Sequence, residues 1–296
     1  MTGAARDHAA TVRARWLGAE LRRLREAAGY GSQVEVASLV GMSLAKLSRL
    51  EGGKRRIKVE DAAALLALYR VTGPARENLL RLCREGAERG WWLRASAHEE
   101  RVAVHTRFES WATAITEYQP LAIPVLLQTP EYLRATLESS GLAPSEVERG
   151  IRLGVARRGS LNRDFPPRYT ALVGETALRC AAAAREVVAD QFLHLTLMAH
   201  RPCVTLRVVP NSAAQAACGG AFALMDFAAA PALVALESAT SFLYLEESHE
   251  VRTYRGLARS LLRHALSHDD SVRFVAELAD GVDHVKTTPR ASITTP

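Results

Sequence analysis

A chain of 296 residues, 48% hydrophobic and 24% charged, has the composition of a folded protein, and its length suits two domains of about 100–200 residues each. Its four cysteines, Cys83, Cys180, Cys203 and Cys218, form no Cys-x-x-Cys pair and have no histidine at ligand spacing, which argues against a disulfide framework or a zinc site. The net charge of +6 is uneven: residues 1–90 hold 17 Lys and Arg against 10 Asp and Glu, and residues 91–296 hold 21 against 22, so the basic excess sits in the first third, as phosphate binding requires.

Residues 1–14 read as a flexible arm. Trp16, Leu17, Leu21 and Leu24 then recur at helical spacing up to Gly29, with Arg15, Arg22, Arg23 and Arg25 on the side expected to face water. Between Ser32 and Lys54 every special residue has a steric purpose. Ser32 can cap a helix and Glu35 can complete a capping box. Val36, Ala37 and Val40 form an apolar face, Ala37 is small where a second helix must cross, and Gly41 falls where the chain turns with positive φ. Ser43 can cap the next helix. Leu47 and Leu50 face back to the first one, leaving Leu44, Ala45, Lys46, Ser48 and Arg49 at the outer surface. This is the spacing of a DNA-binding helix-turn-helix, and Gly52-Gly53-Lys54-Arg55-Arg56 follows it as a flexible basic loop placed to touch a phosphate backbone.

Two more helices, one from Val59 to Tyr69 and one after Gly73-Pro74 to about Glu88, complete a five-helix repressor-type domain over residues 15–89. Residues 90–100 form a linker with the Trp91-Trp92 pair, expected to pack at least one indole. Residues 101–283 mix element types. Helical patterns lie near 101–118, 130–140, 144–162, 175–200, 248–266 and 270–280; strand patterns lie at 168–173, 204–209, 221–227, 233–237 and 242–245. Turn material at Asn211-Ser212 and Gly219-Gly220 suggests antiparallel pairing of two or three strands. The fold expected is mainly α, with an α+β C-terminal domain of helices packed on a small, mostly antiparallel sheet, followed by a disordered tail over 284–296.

No signal peptide and no apolar run of about 18–20 residues is seen, so a cytoplasmic location and no membrane partner are expected. His194 and His200 read as surface or packing residues, and neither a metal nor a cofactor is implied. No Gly-rich phosphate loop, Gly-x-Ser-x-Gly elbow or kinase signature occurs. Glu109, Glu117, Glu175, Glu237 and Glu246, with Tyr118, Tyr244 and Tyr254, are possible buried or cleft groups. With Trp91 and Trp92, the residues Glu109, Glu117, Tyr118, Glu175, Glu237 and Tyr244 make up a candidate pocket; packing, capping and salt bridges are their blander reading.

The run Leu-Arg-Arg-Leu-Arg-Glu-Ala-Ala-Gly at 21–29, Ser32-Gln33 and Ser48-Arg49-Leu50-Glu51 resemble the XRE-type (xenobiotic-response-element-like) helix-turn-helix across Leu17–Tyr69. Arg89-Gly-Trp-Trp92, the string Glu117-Tyr-Gln-Pro-Leu-Ala-Ile-Pro-Val-Leu-Leu-Gln-Thr129, Tyr132, Val204–Pro210, Gly220-Ala-Phe222, Leu243-Tyr-Leu-Glu246 and Tyr254 are similar to the large, uncharacterised C-terminal domain that such transcriptional regulators carry in antitoxin-like pairings with a small partner protein. The resemblance implies a homodimer on double-stranded DNA. It places Gln33 on a phosphate and Leu44, Ala45, Ser48 and Arg49 toward bases or nearby backbone, with a small-molecule effector or small partner protein on the C-terminal domain. Many relatives carry Gln, Ser or Arg where this chain has Leu44 and Ala45. Two apolar residues can meet only a thymine methyl, so Arg49 is left as the reader of guanine O6 and N7. The competing reading is an enzyme descended from such a regulator, with a degenerate helix-turn-helix and a Glu/Tyr acid-base site in the C-terminal domain.

Overall fold

Helix α1 (Val12–Ala27) forms where the sequence places Trp16, Leu17 and Leu21 on one stripe, and all three are buried; α1 packs on α3 (Leu44–Glu51) and α4 (Val59–Leu68), with α2 (Gln33–Leu39) against α3 and α5 (Gly73–Arg84) against α4. The remaining core of this bundle is Val36, Leu47, Leu50, Ile57, Leu65, Leu66, Leu80 and Leu82, so the expected five-helix arrangement is the observed one. The computed structural model describes residues 12–84, 91–93, 98–180, 183–213, 220–228, 230–238 and 241–284. Residues 1–11 of the expected arm, 285–296 of the expected tail, and the Trp91 and Trp92 side chains lie outside the described part.

The chain divides into two compact units. One runs to Ile115 and adds Phe222–Leu257; the other takes Thr116–Ala221 and the chain from Ala258. In the first unit the helix bundle is joined by β1 (Trp91–Leu93), α6 (His98–Trp111), β5 (Phe222–Asp226), β6 (Leu233–Ser238), β7 (Ser241–Leu245) and the first turns of α11 (Ser248–His264). The strands lie in the order β1-β7-β6-β5, and their pairings are antiparallel, with Val234 opposite Leu245 and Trp91 opposite Tyr244. The Trp pair, read as a linker, therefore runs as an edge strand. Phe108 of α6 meets Tyr244 edge to face at 5.1 Å and His105 stacks on Phe242 at 4.6 Å, which seats the helix on the sheet. Arg15 of α1 lies over the Trp111 ring at 5.6 Å and Arg107 of α6 reaches Glu20 at 3.5 Å, so α1 also meets α6.

In the second unit β2 (Ala114–Gln119), which begins in the first, neighbours β3 (Arg168–Gly174), and β3 pairs in parallel with β4 (Val204–Val209). Parallel strands need a long crossover. Here α9 (Glu175–Arg179) and α10 (Arg185–Ala199) supply it, so the strand at 204–209 takes β3 as its partner and no hairpin forms with β5 across Asn211. Helices α7 (Pro130–Ser139) and α8 (Pro144–Arg158) pack on each other, and α12 (His268–His284) packs on α10. Strand β4 is an edge, and the start of α12 covers it: His268 Nδ1 accepts from the Leu206 amide at 3.2 Å and Ser271 Oγ from the Val208 amide at 2.9 Å. Arg207 donates to the Leu262, Ala265 and Leu266 carbonyls, satisfying the last turn of α11.

Two further elements differ from the pattern reading. The helix expected over 101–118 stops at Trp111, and Ala114–Gln119 is a strand. Its buried face carries Ile115 and Glu117, so a carboxylate stands where period-two apolarity would have shown. The single helix expected over 175–200 is two, α9 and α10.

Candidate nucleic-acid interface

The turn between α2 and α3 is built by main-chain geometry. Gly41 has φ +65°, the Met42 amide donates to the Ala37 carbonyl at 2.8 Å, and the Gly41 amide donates to Ser38 at 3.3 Å, a Schellman end that only a residue at ease with positive φ closes without strain. Ser32 Oγ accepts from the Val34 amide rather than from that of Glu35, and Ser43 Oγ accepts from the Lys46 amide at 3.2 Å. Helix α3 thereby leaves the bundle with Leu47 and Leu50 inside and Leu44, Ala45, Ser48 and Arg49 exposed.

The far end of α3 closes the same way. The Gly53 amide donates to Leu50 and the Lys54 amide to Arg49, both at 3.0 Å, with Gly53 at φ +63°. A Cβ on Gly53 would lie 2.3 Å from Arg15 Cα, and one on Gly18 would lie 2.3 Å from the Leu50 carbonyl oxygen, so α1 and the end of α3 touch backbone to backbone. The loop expected to be flexible is pinned at its first two residues. Beyond it, Arg49, Lys54, Arg55, Arg56, Lys58 and Arg84 surround a cleft of about 780 Å³ in which Glu60 is the one carboxylate among the described residues. Arg49, Lys54 and Arg55 are exposed and have no carboxylate partner among the described residues. Burial pushes the Cys83 thiol in this cleft up to about 11, against the pull of Arg13, Arg84 and Arg56.

Arg25, expected on the exposed side of α1, is buried and paired with the buried Glu51 of α3. Its Nε donates to Oε1 at 2.8 Å and its Nη2 to Oε2 at 3.1 Å, while Nη1 donates to the Tyr30 carbonyl at 2.6 Å. That forked bond to Glu51 holds the guanidinium pKa above its ordinary value. Gln33 donates to the same carboxylate at 2.7 Å, so its amide is oriented from beneath. Lys46 is also held, by Asp61 of α4 at 2.6 Å. Periodicity alone marked Arg25 as one surface cation among several; its i+26 partner on α3 could be recognised only in the folded chain.

Of the candidate pocket residues, Glu109, Glu237 and Tyr244 belong to the first unit and Glu117, Tyr118 and Glu175 to the second. In the first unit Glu109 and Tyr244 converge on buried His105, whose Nε2 is 3.4 Å from Glu109 and whose Nδ1 is 3.4 Å from the Tyr244 hydroxyl. In the second unit buried Glu117 accepts from the Tyr169 hydroxyl at 2.7 Å and from Gln119 at 3.0 Å, and burial raises the pKa of Tyr118. Glu175 opens α9, where bonds from the Asn211 amide and Arg179 hold its pKa below the ordinary carboxylate range. Glu237 is exposed on β6. No group of three or more His, Cys, Asp and Glu with metal-binding proximity occurs among the described residues, and no described helix is long and apolar enough to cross a membrane.

Residues 16–79 match the family described as a helix-turn-helix domain, and residues 102–277 match a domain of unknown function, DUF5753. No curated protein matches the chain significantly. Among solved structures it is similar to TrmBL2, an archaeal chromatin protein described as showing a novel mode of DNA binding, at 13% identity and a TM-score of 0.30. The match covers 65% of this chain and 61% of that one, less than two thirds of its length. A likeness of that degree says nothing about what this chain binds.

Proposed function

The chain belongs to the DUF5753 family and carries a helix-turn-helix domain ahead of the shared region, and from that premise we propose a cytoplasmic, homodimeric transcriptional regulator that binds double-stranded DNA. One observation carries the reading: α3 presents Leu44, Ala45, Ser48 and Arg49 outward and leads into exposed Lys54 and Arg55, which have no carboxylate partner among the described residues. Arg49 then reads guanine, Leu44 and Ala45 meet a thymine methyl, and Lys54 and Arg55 hold phosphates beside them. Ser43, Gln33 and Lys46 complete the face. Gln33 and Lys46 reach it already oriented by Glu51 and Asp61, so they lose little freedom on contact. Two copies would read half-sites about one helical turn apart. The DUF5753 region binds an effector or a small partner protein and changes DNA affinity by the difference in its binding free energy between the two states.

Fluorescence anisotropy of the full chain with a random-sequence duplex tests the first part. At about 50–100 mM salt, binding should be measurable and should fall steeply as salt rises. A duplex that fails to bind in that range sinks the regulator reading.

A further inference from the structure

The second unit contains a small cavity of about 280 Å³ between α8 and α10, walled by Leu126, Val155 and Met198 and bearing three nitrogen-rich side chains, Arg158, His194 and Arg201. Each of the three is unusual. Arg158 is fixed by a single bond from Nη1 to the Gln128 carbonyl at 2.9 Å, and Arg201 by bonds to the Leu161 carbonyl at 2.6 Å and Asn162 Oδ1 at 2.7 Å. Neither guanidinium has a carboxylate partner among the described residues. Both are oriented by neutral oxygens, so their charge stays uncompensated while their geometry is set. His194 is half-buried, and its Nε2 is buried with no hydrogen-bond partner in the described protein. Buried polar atoms in folded proteins are nearly always satisfied, and an orphan beside two held cations calls for a reason.

We propose that this cavity is a binding site for a small organic monocarboxylate, whose carboxylate is held by Arg158 and Arg201 with His194 completing the hydrogen bonds, and whose short apolar body rests on Leu126, Val155 and Met198. A planar guanidinium matches a carboxylate by two parallel bonds, and a neutral histidine can donate a third. The cavity is below the roughly 300–1,000 Å³ of most ligand sites, which limits the occupant to a small molecule. Burial and the neighbouring Arg158 lower the pKa of His194, which favours the neutral ring; an anion placed between them opposes the second cause. The proposal rests on the reading of the DUF5753 region as effector-binding. Its test is made without DNA, so either reading can fail while the other stands.

The probe is benzoate, added to the full-length protein and followed by NMR titration of the histidine ring signals, with His194 assigned through His194→Gln. Benzamide, the neutral isostere, and inorganic phosphate serve as comparisons. Expected are saturable benzoate binding, an upward shift of the His194 pKa on saturation, and no response to benzamide. Arg158→Gln and Arg201→Gln should each weaken binding tenfold or more. Arg152→Gln removes an exposed cation from the same helix α8 and should leave binding within twofold. If Arg201→Gln does not fold, Arg158→Gln together with the His194 shift decides. Absence of saturable benzoate binding, an equal response to benzamide, binding of phosphate alone, or benzoate affinity unchanged in Arg158→Gln overturns the proposal.

Discussion

Two groups of arginines show how differently the same side chain is used in the two units. On the helix-turn-helix, Arg49 and Arg55 stand exposed with Lys54 around a broad cleft of about 780 Å³, free to follow an extended polyanion. In the second unit Arg158 and Arg201 are clamped by carbonyl and amide oxygens at a cavity of about 280 Å³, where only a small anion has room. A third use is Arg25, whose charge is consumed inside the bundle by Glu51. The anchoring of each guanidinium, more than the number of basic residues, separates a cation spent inside the bundle from one held at a cavity and one left exposed.

The largest effect should come from breaking the internal use. Glu51→Ala leaves the buried Arg25 with no carboxylate closer than Glu26 at 3.6 Å and also releases Gln33, and it should cost about 3–5 kcal/mol in urea denaturation. A cost under about 1 kcal/mol would mean that Arg25 escapes to water and resembles the exposed group after all. Within the exposed group, Arg49→Ala should lose about 1–3 kcal/mol of discrimination at the base pair it reads, while Lys54→Ala weakens all duplexes alike and flattens the salt slope by about one. Equal effects on all sequences from both changes would remove the distinction between reading and holding. Gly53→Ala should destabilise the protein by more than about 1 kcal/mol, because the left-handed φ and the contact with Arg15 both resist a Cβ. Thermal melting measures it, and a neutral result would show that the end of α3 is looser than the Schellman bonds imply.

The smallest effect concerns pH in the second unit. His194 has a folded pKa below its ordinary value of 6.5, so the unfolded chain takes up its proton first as pH falls. Its contribution is full above about pH 6.5 and is lost as pH drops through the depressed folded value. Wild-type stability should therefore fall more between pH 7.5 and 5.5 than that of His194→Gln, read from denaturation midpoints. Parallel curves would place His194 in water and weaken the contrast between the clamped and the open cations.

The amino-acid pattern alone determined the five-helix bundle, the two capping serines, the turn at Gly41 and the outward face of α3, because these depend on local φ preference, hydrogen bonds within five residues and a 3.6-residue apolar period. It also marked five of the seven strands among the described residues, whose runs are short, alternating and bounded by turn residues. It missed β1, read as a linker, and β2, since Glu117 occupies a buried position and is satisfied by Tyr169 from 52 residues away. Long-range pairing likewise decided the fate of the charges. Nothing near Arg25 in sequence announces Glu51, and nothing near His194 announces Arg158. Tertiary structure made one arginine internal and turned a histidine read as packing into the wall of a cavity, because desolvation and Coulomb attraction act through space, whereas periodicity records only neighbours along the chain.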